Sequence, residues 1–230
     1  MIVKTSGISN KIICIATMIH PHTELKYISP EIGYGVIATR LIPKGTITWA
    51  SDQLDQVFTP HEVAAMEDVY KDILYKYTYR DSKGNLILCW DHSRFVNHSF
   101  NSNCITTAYS LEVAVRDIQP GEELTDDYGY LNCLEPFACL PEPNTSRTHV
   151  MPDDLLHFYK DWDTKVLSAF LHFNKVPQPL AFLIEPQYRK KVHSVAAGFE
   201  QMDSILNCYF SEDAGKMLVK EGLLHSYSYA

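Results

Sequence analysis

Short apolar runs separated by turn residues fill roughly the first 130 residues of this chain. The runs are rich in β-branched and aromatic residues, and such runs predict strands. Turn signals stand between them: Pro-Lys-Gly at residues 43–45, and Asp-Ser-Lys-Gly-Asn at residues 81–85, which is typical of a hairpin. The predicted strands lie at residues 12–19, 35–39, 46–49, 86–90, 105–109, 111–115 and 124–128.

A helix start interrupts this pattern at residues 59–62. Thr59 can cap the helix, Pro60 fits the first helical position, and Glu62 occupies the position that a capping box requires. Apolar residues then follow at helical spacing, which predicts one helix that continues as far as Tyr77. These residues are Val63, Met66, Tyr70, Ile73 and Tyr77.

The amino-acid composition and the predicted elements change after residue 131. Residues 132–147 are rich in Pro, Cys and Asn and predict a loop. A helix with acids in its first turn is predicted from Pro152 onward, and further helices near residues 192–206 and 214–223. We therefore predict an α+β fold with three parts: an N-terminal segment at residues 1–19, a β-rich domain at residues 20–131, and a loop with a helical C-terminal extension at residues 132–230.

The charge and the cysteines narrow the class of protein. The chain has 28 acidic and 20 basic residues, a net charge of -8, which disfavours direct nucleic-acid binding and favours a cationic partner, although many soluble proteins are simply acidic. Its six cysteines are scattered without a CxxC pair, which is typical of a reducing compartment. We expect a cytoplasmic location without membrane association, and we leave a secreted or nuclear location open.

Three segments carry candidate chemistry, at residues 32–45, 94–104 and 113–130. Each has an ordinary explanation when it is taken alone. A single Gly-x-Gly is common in turns, Asn97-His98-Ser99 also matches a glycosylation sequon, and Tyr128 is one of 14 tyrosines. Their order and spacing carry more information than any one of them.

Together the three segments resemble the SET domain. The family pattern is a Gly-x-Gly segment with an A-T-R-x-I-x-x-G continuation, then R-F-x-N-H-S-x-x-x-N, then G-E-E-L-x-x-D-Y, and the likeness covers residues 20–131. The resemblance implies small curled sheets in which the second and third segments thread together as a pseudoknot. It also implies binding of S-adenosyl-L-methionine (AdoMet) and methylation of a lysine in a protein substrate.

The resemblance also implies roles for individual residues. Gly33-Tyr34-Gly35 corresponds to the segment that binds the methionine part of AdoMet, because glycines allow close backbone approach. Asn97 and His98 correspond to the pair that holds the amino group and adenine, and Tyr128 to the reaction-centre tyrosine. Two further residues, weaker candidates for cofactor binding, lie beside this pair: Arg94 and Phe95.

This chemistry needs neither a metal nor a covalent intermediate, because a sulfonium methyl group is already activated. The lysine amine must be neutral and in line with the methyl carbon, although free lysine has a pKa of about 10.4. A desolvated channel and the positive charge of the donor both lower that pKa. Tyr128 would orient the amine through its hydroxyl group, next to carbonyl oxygens that favour the polarised methyl.

The sequence departs from many SET enzymes where these have a zinc site. Phe100, Pro141 and Ser146 occupy three of the four positions at which relatives have cysteine ligands, and Cys139 alone remains. Structural zinc requires about four N or S ligands, so we expect no zinc. The C-terminal extension could instead close the substrate channel or cover adenine, although aromatic residues at helical spacing favour plain core packing. Its candidate aromatic residues are Phe158, Tyr159 and Trp162.

Asp126 is the second departure, because relatives commonly have an aromatic residue two positions before the reactive tyrosine. Asp126 either lies at the channel, where it attracts the lysine ammonium but opposes its deprotonation, or turns outward to water. We place Asp126, Phe100 and Tyr130 at the substrate channel. The expected partner is a protein that presents a lysine in a basic segment, and the oligomeric state stays open.

Two other functions stay open at this point. The chain could be a degenerate SET fold that acts as a binding module, or a methyltransferase for a peptide or a small amine. Asn97, His98 and Tyr128 are all present, which speaks against the first.

Overall fold

The computed structural model describes residues 18–211 and 213. Most of the predicted strand at residues 12–19, and the predicted helix at residues 214–223, lie outside these ranges. The described strands are short and form five small sheets. They are β1 (Thr23–Ser29), β2 (Gly33–Ala38), β3 (Ile47–Ala50), β4 (Gln56–Phe58), β5 (Thr78–Arg80), β6 (Leu86–Leu88), β7 (Asn97–His98), β8 (Cys104–Thr106), β9 (Leu111–Ala114), β10 (Thr125–Asp126), β11 (Phe137–Ala138) and β12 (His149–Val150).

Most strand pairs are antiparallel. The sheet orders are β1-β2, β3-β9-β8, β4-β6-β5 and β11-β12. β7 and β10 instead run parallel, with Asn97 opposite Thr125 and His98 opposite Asp126. This parallel pair joins the second and third sequence segments directly, as the expected threading requires. β1 and β4 were not predicted, because their exposed polar residues interrupt the apolar pattern.

In the part of the chain that the structure describes, four α-helices accompany the sheets: α1 (Pro60–Ala64), α2 (Asp68–Tyr77), α3 (Asp154–Phe173) and α4 (Pro186–Ala196). Single 3-10 turns lie at His92–Phe95, Tyr128–Tyr130, Ala181–Leu183 and Ile205–Cys208. None of the helices within the described ranges is long and apolar enough to cross a membrane.

The helix start at Thr59 is confirmed, including its complete capping box. The prediction of one continuous helix to Tyr77 is wrong, because the chain leaves helical geometry after α1 and α2 starts again with a new phase. Glu67 caps α2 with extended backbone angles, φ -68 and ψ 147. As a result Tyr70 and Ile73 are 57% and 52% exposed, and α2 buries Lys71 and Leu74 instead.

The C-terminal helices position this part of the chain on the β-rich domain. α3 starts at Asp154, close to the predicted start, and buries an apolar face against β3 and β9. Trp162 is 3% exposed in this core, so it belongs to the core and does not cover the site. The helix predicted at residues 192–206 is wrong in its bounds, because Pro186 favours an earlier start and Gly198, with φ +74, follows the end of α4.

Candidate active site

Tyr128 lies in a tight turn directly after β10. The Asp127 carboxylate accepts a hydrogen bond from the Gly129 N–H at 3.0 Å and so caps this 3-10 turn. The Tyr128 N–H donates to Nδ1 of His98 at 3.1 Å, and its hydroxyl donates to the Val96 carbonyl at 2.6 Å. Both ends of the tyrosine are therefore fixed to the β7 segment.

The phenol of Tyr128 is held in its neutral form. Burial, and then the nearby carboxylates of Asp126 and Glu123, raise the pKa of Tyr128 well above its usual value. A phenol that keeps its proton at neutral pH acts as a hydrogen-bond donor and not as a base. The acceptor of this hydrogen bond is the Val96 carbonyl.

Asn97 links the Gly-Tyr-Gly segment to the third segment. Its Nδ2 donates to the Tyr34 carbonyl at 3.0 Å and to Oε1 of Glu123 at 2.6 Å. Gly35 lies against this contact, since a Cβ built on it would be only 2.2 Å from Glu123 Oε1 and 3.0 Å from Asn97 Nδ2. Gly33 has φ +84, which favours glycine for a different reason.

The His98 ring lies between Tyr128 and two phenylalanines. Its centroid is 4.3 Å from that of Phe100, 5.4 Å from Tyr128 and 6.5 Å from Phe137. Burial lowers the pKa of His98, so the ring is neutral near pH 7, with Nδ1 as the acceptor. Its Nε2 is buried and has no hydrogen-bond partner among the described residues.

Arg94 and Phe95 form a wall beside these residues. The Arg94 guanidinium donates to the carbonyls of Cys89 at 3.3 Å and Trp90 at 3.1 Å, and it lies 5.1 Å from the Phe95 ring. The Phe95 ring in turn makes an edge contact with Tyr34, at 6.2 Å between centroids. Both residues therefore support the site, Arg94 from within a cavity and Phe95 beneath the exposed Tyr34 ring.

A cavity of about 1110 Å³ opens on the other side of Tyr128. Its lining combines the β-rich domain with the segment at residues 203–208 of the C-terminal extension. Tyr128 and Arg94 line this cavity, whereas Asn97 and His98 do not. Tyr128 thus contacts both this cavity and His98, which does not line it. Other residues that line the cavity are Val96, Glu112, Asp126 and Tyr130.

Asp126 is at the cavity wall and is only 6% exposed, so the alternative in which it turns outward to water is wrong. Its Oδ1 accepts a hydrogen bond from the Tyr130 hydroxyl at 3.1 Å. Its second partner is the Glu112 carboxyl. Burial raises the pKa of Asp126 to about 7 and raises that of Glu112 well above its usual value.

Phe100, which we expected at the substrate channel, lies elsewhere. It is 8% exposed and does not line the cavity. It packs on the His98 ring and on the Arg147 guanidinium, whose carbon is 4.3 Å from the ring centroid. Tyr130 does line the cavity and is 1% exposed, and its place at the substrate channel stays a prediction.

Arg147 follows Ser146, one of the positions at which we noted the absence of a cysteine ligand. Its guanidinium is sandwiched between Phe100 and Phe158, each 4.3 Å away, and forms ion pairs with Asp127 and Asp154. Within the described ranges, no group of three or more His, Cys, Asp or Glu side chains is placed to hold a metal ion. The absence of zinc from the protein stays a prediction.

Three contributors to this site were not found from the sequence. Glu123 and Glu112 act through partners 26 and 14 residues away, and Arg147 through Asp127, 20 residues away. A partial signal existed for Glu112, since an acid stands between the apolar Leu111 and Val113 in a predicted strand. No local pattern indicates which residue such an acid contacts.

Comparisons with known proteins find sequence similarity to one family. The family described as SET domain matches residues 33–129. The chain is 28% identical over 144 residues to the Variant-silencing SET domain-containing protein of Plasmodium falciparum (isolate 3D7), which covers 53% of this chain. It is 29% identical over 117 residues to Histone-lysine N-methyltransferase Set2 of Drosophila melanogaster, which covers 43% of this chain. The chain spans only 5% of the length of each of these relatives.

Among solved structures, one that partly aligns with this chain is the crystal structure of KRYPTONITE in complex with mCHH DNA, H3(1-15) peptide and SAH. It has a TM-score of 0.38 and 20% sequence identity, and it covers 56% of this chain and 29% of its own.

Proposed function

We propose, from the premise that this chain carries a SET domain at residues 33–129, that it transfers methyl groups from AdoMet to the side-chain amine of lysine in a protein. The position of Tyr128 carries this proposal. Its backbone and ring contact His98, on the predicted cofactor side, while its side chain lines a cavity large enough for a long side chain. A residue between two sites suits a reaction between two bound molecules.

The residues on the cofactor side fit AdoMet. Gly35 leaves no room for a Cβ beside Glu123 and Asn97, so the backbone of this segment lies close to both side chains. Tyr34 is 51% exposed, and the buried Nε2 of His98 has no partner among the described residues. AdoMet supplies a methyl group on a positively charged sulfur, and no further activation is required.

The chain then has two tasks, to orient the lysine amine and to exclude water. The Tyr128 hydroxyl stays protonated and donates to the Val96 carbonyl, so both groups are fixed relative to each other, and we propose that the amine and the methyl carbon meet beside them. Placement of this kind can provide much of the rate enhancement, because reactants held near contact avoid the entropic cost of an encounter.

The proposed partner is a protein that presents lysine in a basic segment, since the chain carries a net charge of -8. Similarity to a protein named as a histone-lysine methyltransferase makes core histones the first acceptors to test. We also propose that the protein works without zinc, without direct nucleic-acid contact and in the cytoplasm.

The test is transfer of labelled methyl groups from AdoMet to core histones and to a cell lysate, with the modified residue mapped by mass spectrometry. We expect labelled lysine in one or a few proteins, and a loss of about 10²-fold or more in Tyr128→Phe because the orienting hydroxyl is gone. AdoMet affinity should change little in this variant. Binding of AdoMet without any transfer favours the binding module, and transfer only to free amines favours the small-molecule enzyme.

A further inference from the structure

The cavity beside Tyr128 has a carboxyl pair in its wall that the proposed function does not yet use. Glu112 extends from β9 and Asp126 from β10, and their side chains hydrogen-bond to each other. The Tyr130 hydroxyl also donates to Asp126, at 3.1 Å. Of the ion pairs formed within the described ranges, none includes Glu112 or Asp126.

Two carboxyls in contact share one proton near neutral pH, because two adjacent negative charges repel each other. Glu112 keeps the proton, since burial raises the pKa of Glu112 well above its usual value. Its O–H group donates a hydrogen bond to Asp126. The pair therefore has one negative charge, held by Asp126. Arg80 and Arg94 also line the cavity, but their guanidinium groups donate to backbone carbonyls.

We propose, on the basis of the function proposed above, that Glu112 and Asp126 hold the ammonium group of the substrate lysine and that Asp126 takes the proton this group must lose. A single negative charge in a partly closed cavity selects a single positive charge. The long, flexible stem of lysine allows its ammonium to reach Asp126 before the amine turns to Tyr128.

The proton balance of this step is simple. One N–H bond of the ammonium breaks and one O–H bond forms on Asp126, which leaves a neutral amine and a neutral carboxyl pair. The nitrogen lone pair then forms the new N–C bond as the methyl–sulfur bond breaks, and sulfur keeps that electron pair. Asp126 returns its proton to solvent after the methylated lysine leaves, so one proton is released for each methyl transferred.

Asp126 is the group in this cluster that titrates near neutral pH. Burial keeps the phenols and the Cys104 thiol neutral, Asp127 is paired with Arg147, and Asp91 accepts the N–H groups of Met18 and Ile19. A base with a pKa of about 7 suits proton transfer at physiological pH. Burial also keeps the Cys89 thiol neutral by raising its pKa. The other titratable side chains that face the pair are Tyr79, Cys89, Asp91, Cys104, Asp127, Tyr128 and Tyr130.

The test is the pH profile of kcat/KM for Asp126→Asn, with the acceptor protein found in the transfer assay. At pH 7 we expect a loss of about 10²–10³-fold, typical of a removed general base. The difference in kcat/KM between Asp126→Asn and the unaltered protein should shrink by about tenfold for each pH unit above 7. The reason is that more of the lysine, with a pKa of about 10.4, is then neutral without proton transfer to Asp126. Tyr128→Phe should stay slow at every pH, and Asp161→Asn, on the exposed side of α3, should behave as the unaltered protein.

Glu112 gives a second test that does not depend on Asp126→Asn folding. In Glu112→Gln the side chain can still donate a hydrogen bond to Asp126. The acid limb of the kcat/KM profile should therefore stay in place, and kcat/KM should stay within about tenfold of the value for the unaltered protein. The hydrogen bond from Glu112 lowers the pKa of Asp126, and Glu112→Leu removes it. The pKa of Asp126 should therefore rise in this variant, and the acid limb of its kcat/KM profile should move to higher pH. AdoMet affinity, measured by calorimetry, should be unchanged in all of these variants.

The outcomes separate the two proposals. Profiles of Asp126→Asn and the unaltered protein that run parallel from pH 6 to 10 overturn the base, as does an acid limb that stays in place in Glu112→Leu. Absence of methyl transfer by the unaltered protein overturns both the base and the proposed function.

Discussion

Arg147 fastens the C-terminal extension to the turn that carries Tyr128, and its removal should destabilise the protein strongly. Arg147→Met keeps most of the apolar stem and removes the guanidinium. Asp127 and Asp154, its two partners, are 0% and 3% exposed. The side chain of Arg147 is itself only 17% exposed, so solvent screens these ion pairs weakly.

The magnitude follows from what stays behind. Removal of one member of a buried ion pair costs about 3–5 kcal/mol, because an uncompensated charge is left in the interior. Asp127 keeps its hydrogen bond from the Gly129 N–H, which favours the lower end of that range. Loss of the two ring contacts, with Phe100 and Phe158, adds about 0.5–1 kcal/mol each. We expect a total loss of about 4 kcal/mol in the free energy of unfolding.

Urea unfolding at pH 8 and at pH 5 measures this loss and also tests its cause. The Arg147 guanidinium holds the pKa of Asp127 below the value that burial alone would give, so the variant protonates Asp127 at a higher pH than the unaltered protein does. The folded variant thus binds a proton that relieves the buried charge, and its deficit should shrink as the pH falls.

Arg116→Met is the matched control, because its ion pair with Glu122 is 46% and 27% exposed and should contribute less than about 1 kcal/mol. The reasoning is refuted if Arg147→Met costs no more than Arg116→Met, or if its deficit grows towards pH 5.

Two further predictions concern Asp126 and Gly35. Burial raises the pKa of Asp126 from 3.8 to about 7, so its contribution to stability is present at low pH and is lost as the pH rises through 7. Urea unfolding should therefore show that Asp126→Asn gains stability relative to the unaltered protein between pH 5 and pH 8. A difference that stays constant over this range contradicts the prediction. In Gly35→Ala the new Cβ would lie 2.2 Å from Glu123 Oε1 and displace it from Asn97, so calorimetry should show AdoMet binding weakened about tenfold or more, and affinity equal to that of the unaltered protein contradicts the assigned role.

The features that could be predicted from the sequence depend on contacts within a few residues. Thr59 and Glu62 cap α1 reciprocally, with the Thr59 N–H donating to Oε2 of Glu62 at 2.8 Å. The Asp81 carboxylate accepts the N–H groups of Lys83 and Asn85, at 2.8 and 2.9 Å, and closes the predicted hairpin turn. In both cases one short segment contains donor and acceptor, so the residue types alone indicate the structure.

The features that could not be predicted depend on distant partners. The exposure of Tyr70 and Ile73 follows from the break between α1 and α2, which no Pro or Gly signals. The burial of Asp126 follows from the position of Glu112 in another sheet. A carboxylate in isolation favours water, so the sequence suggested an outward Asp126 as readily as an inward one.

The turn after β10 connects three parts of the molecule: the β7 segment, the wall of the cavity and the C-terminal extension. Asp126 faces Glu112 across the cavity wall, Asp127 pairs with Arg147, and Tyr128 is fixed to the β7 segment. A Cβ on Gly129 would lie 3.0 Å from an Arg147 nitrogen and 2.9 Å from the Asp154 side chain, so the extension packs on the turn without spare room. The ion pairs of Arg147 with Asp127 and Asp154 thus hold the extension on this turn, and their loss should disturb the Tyr128 turn before it disturbs the distant sheets.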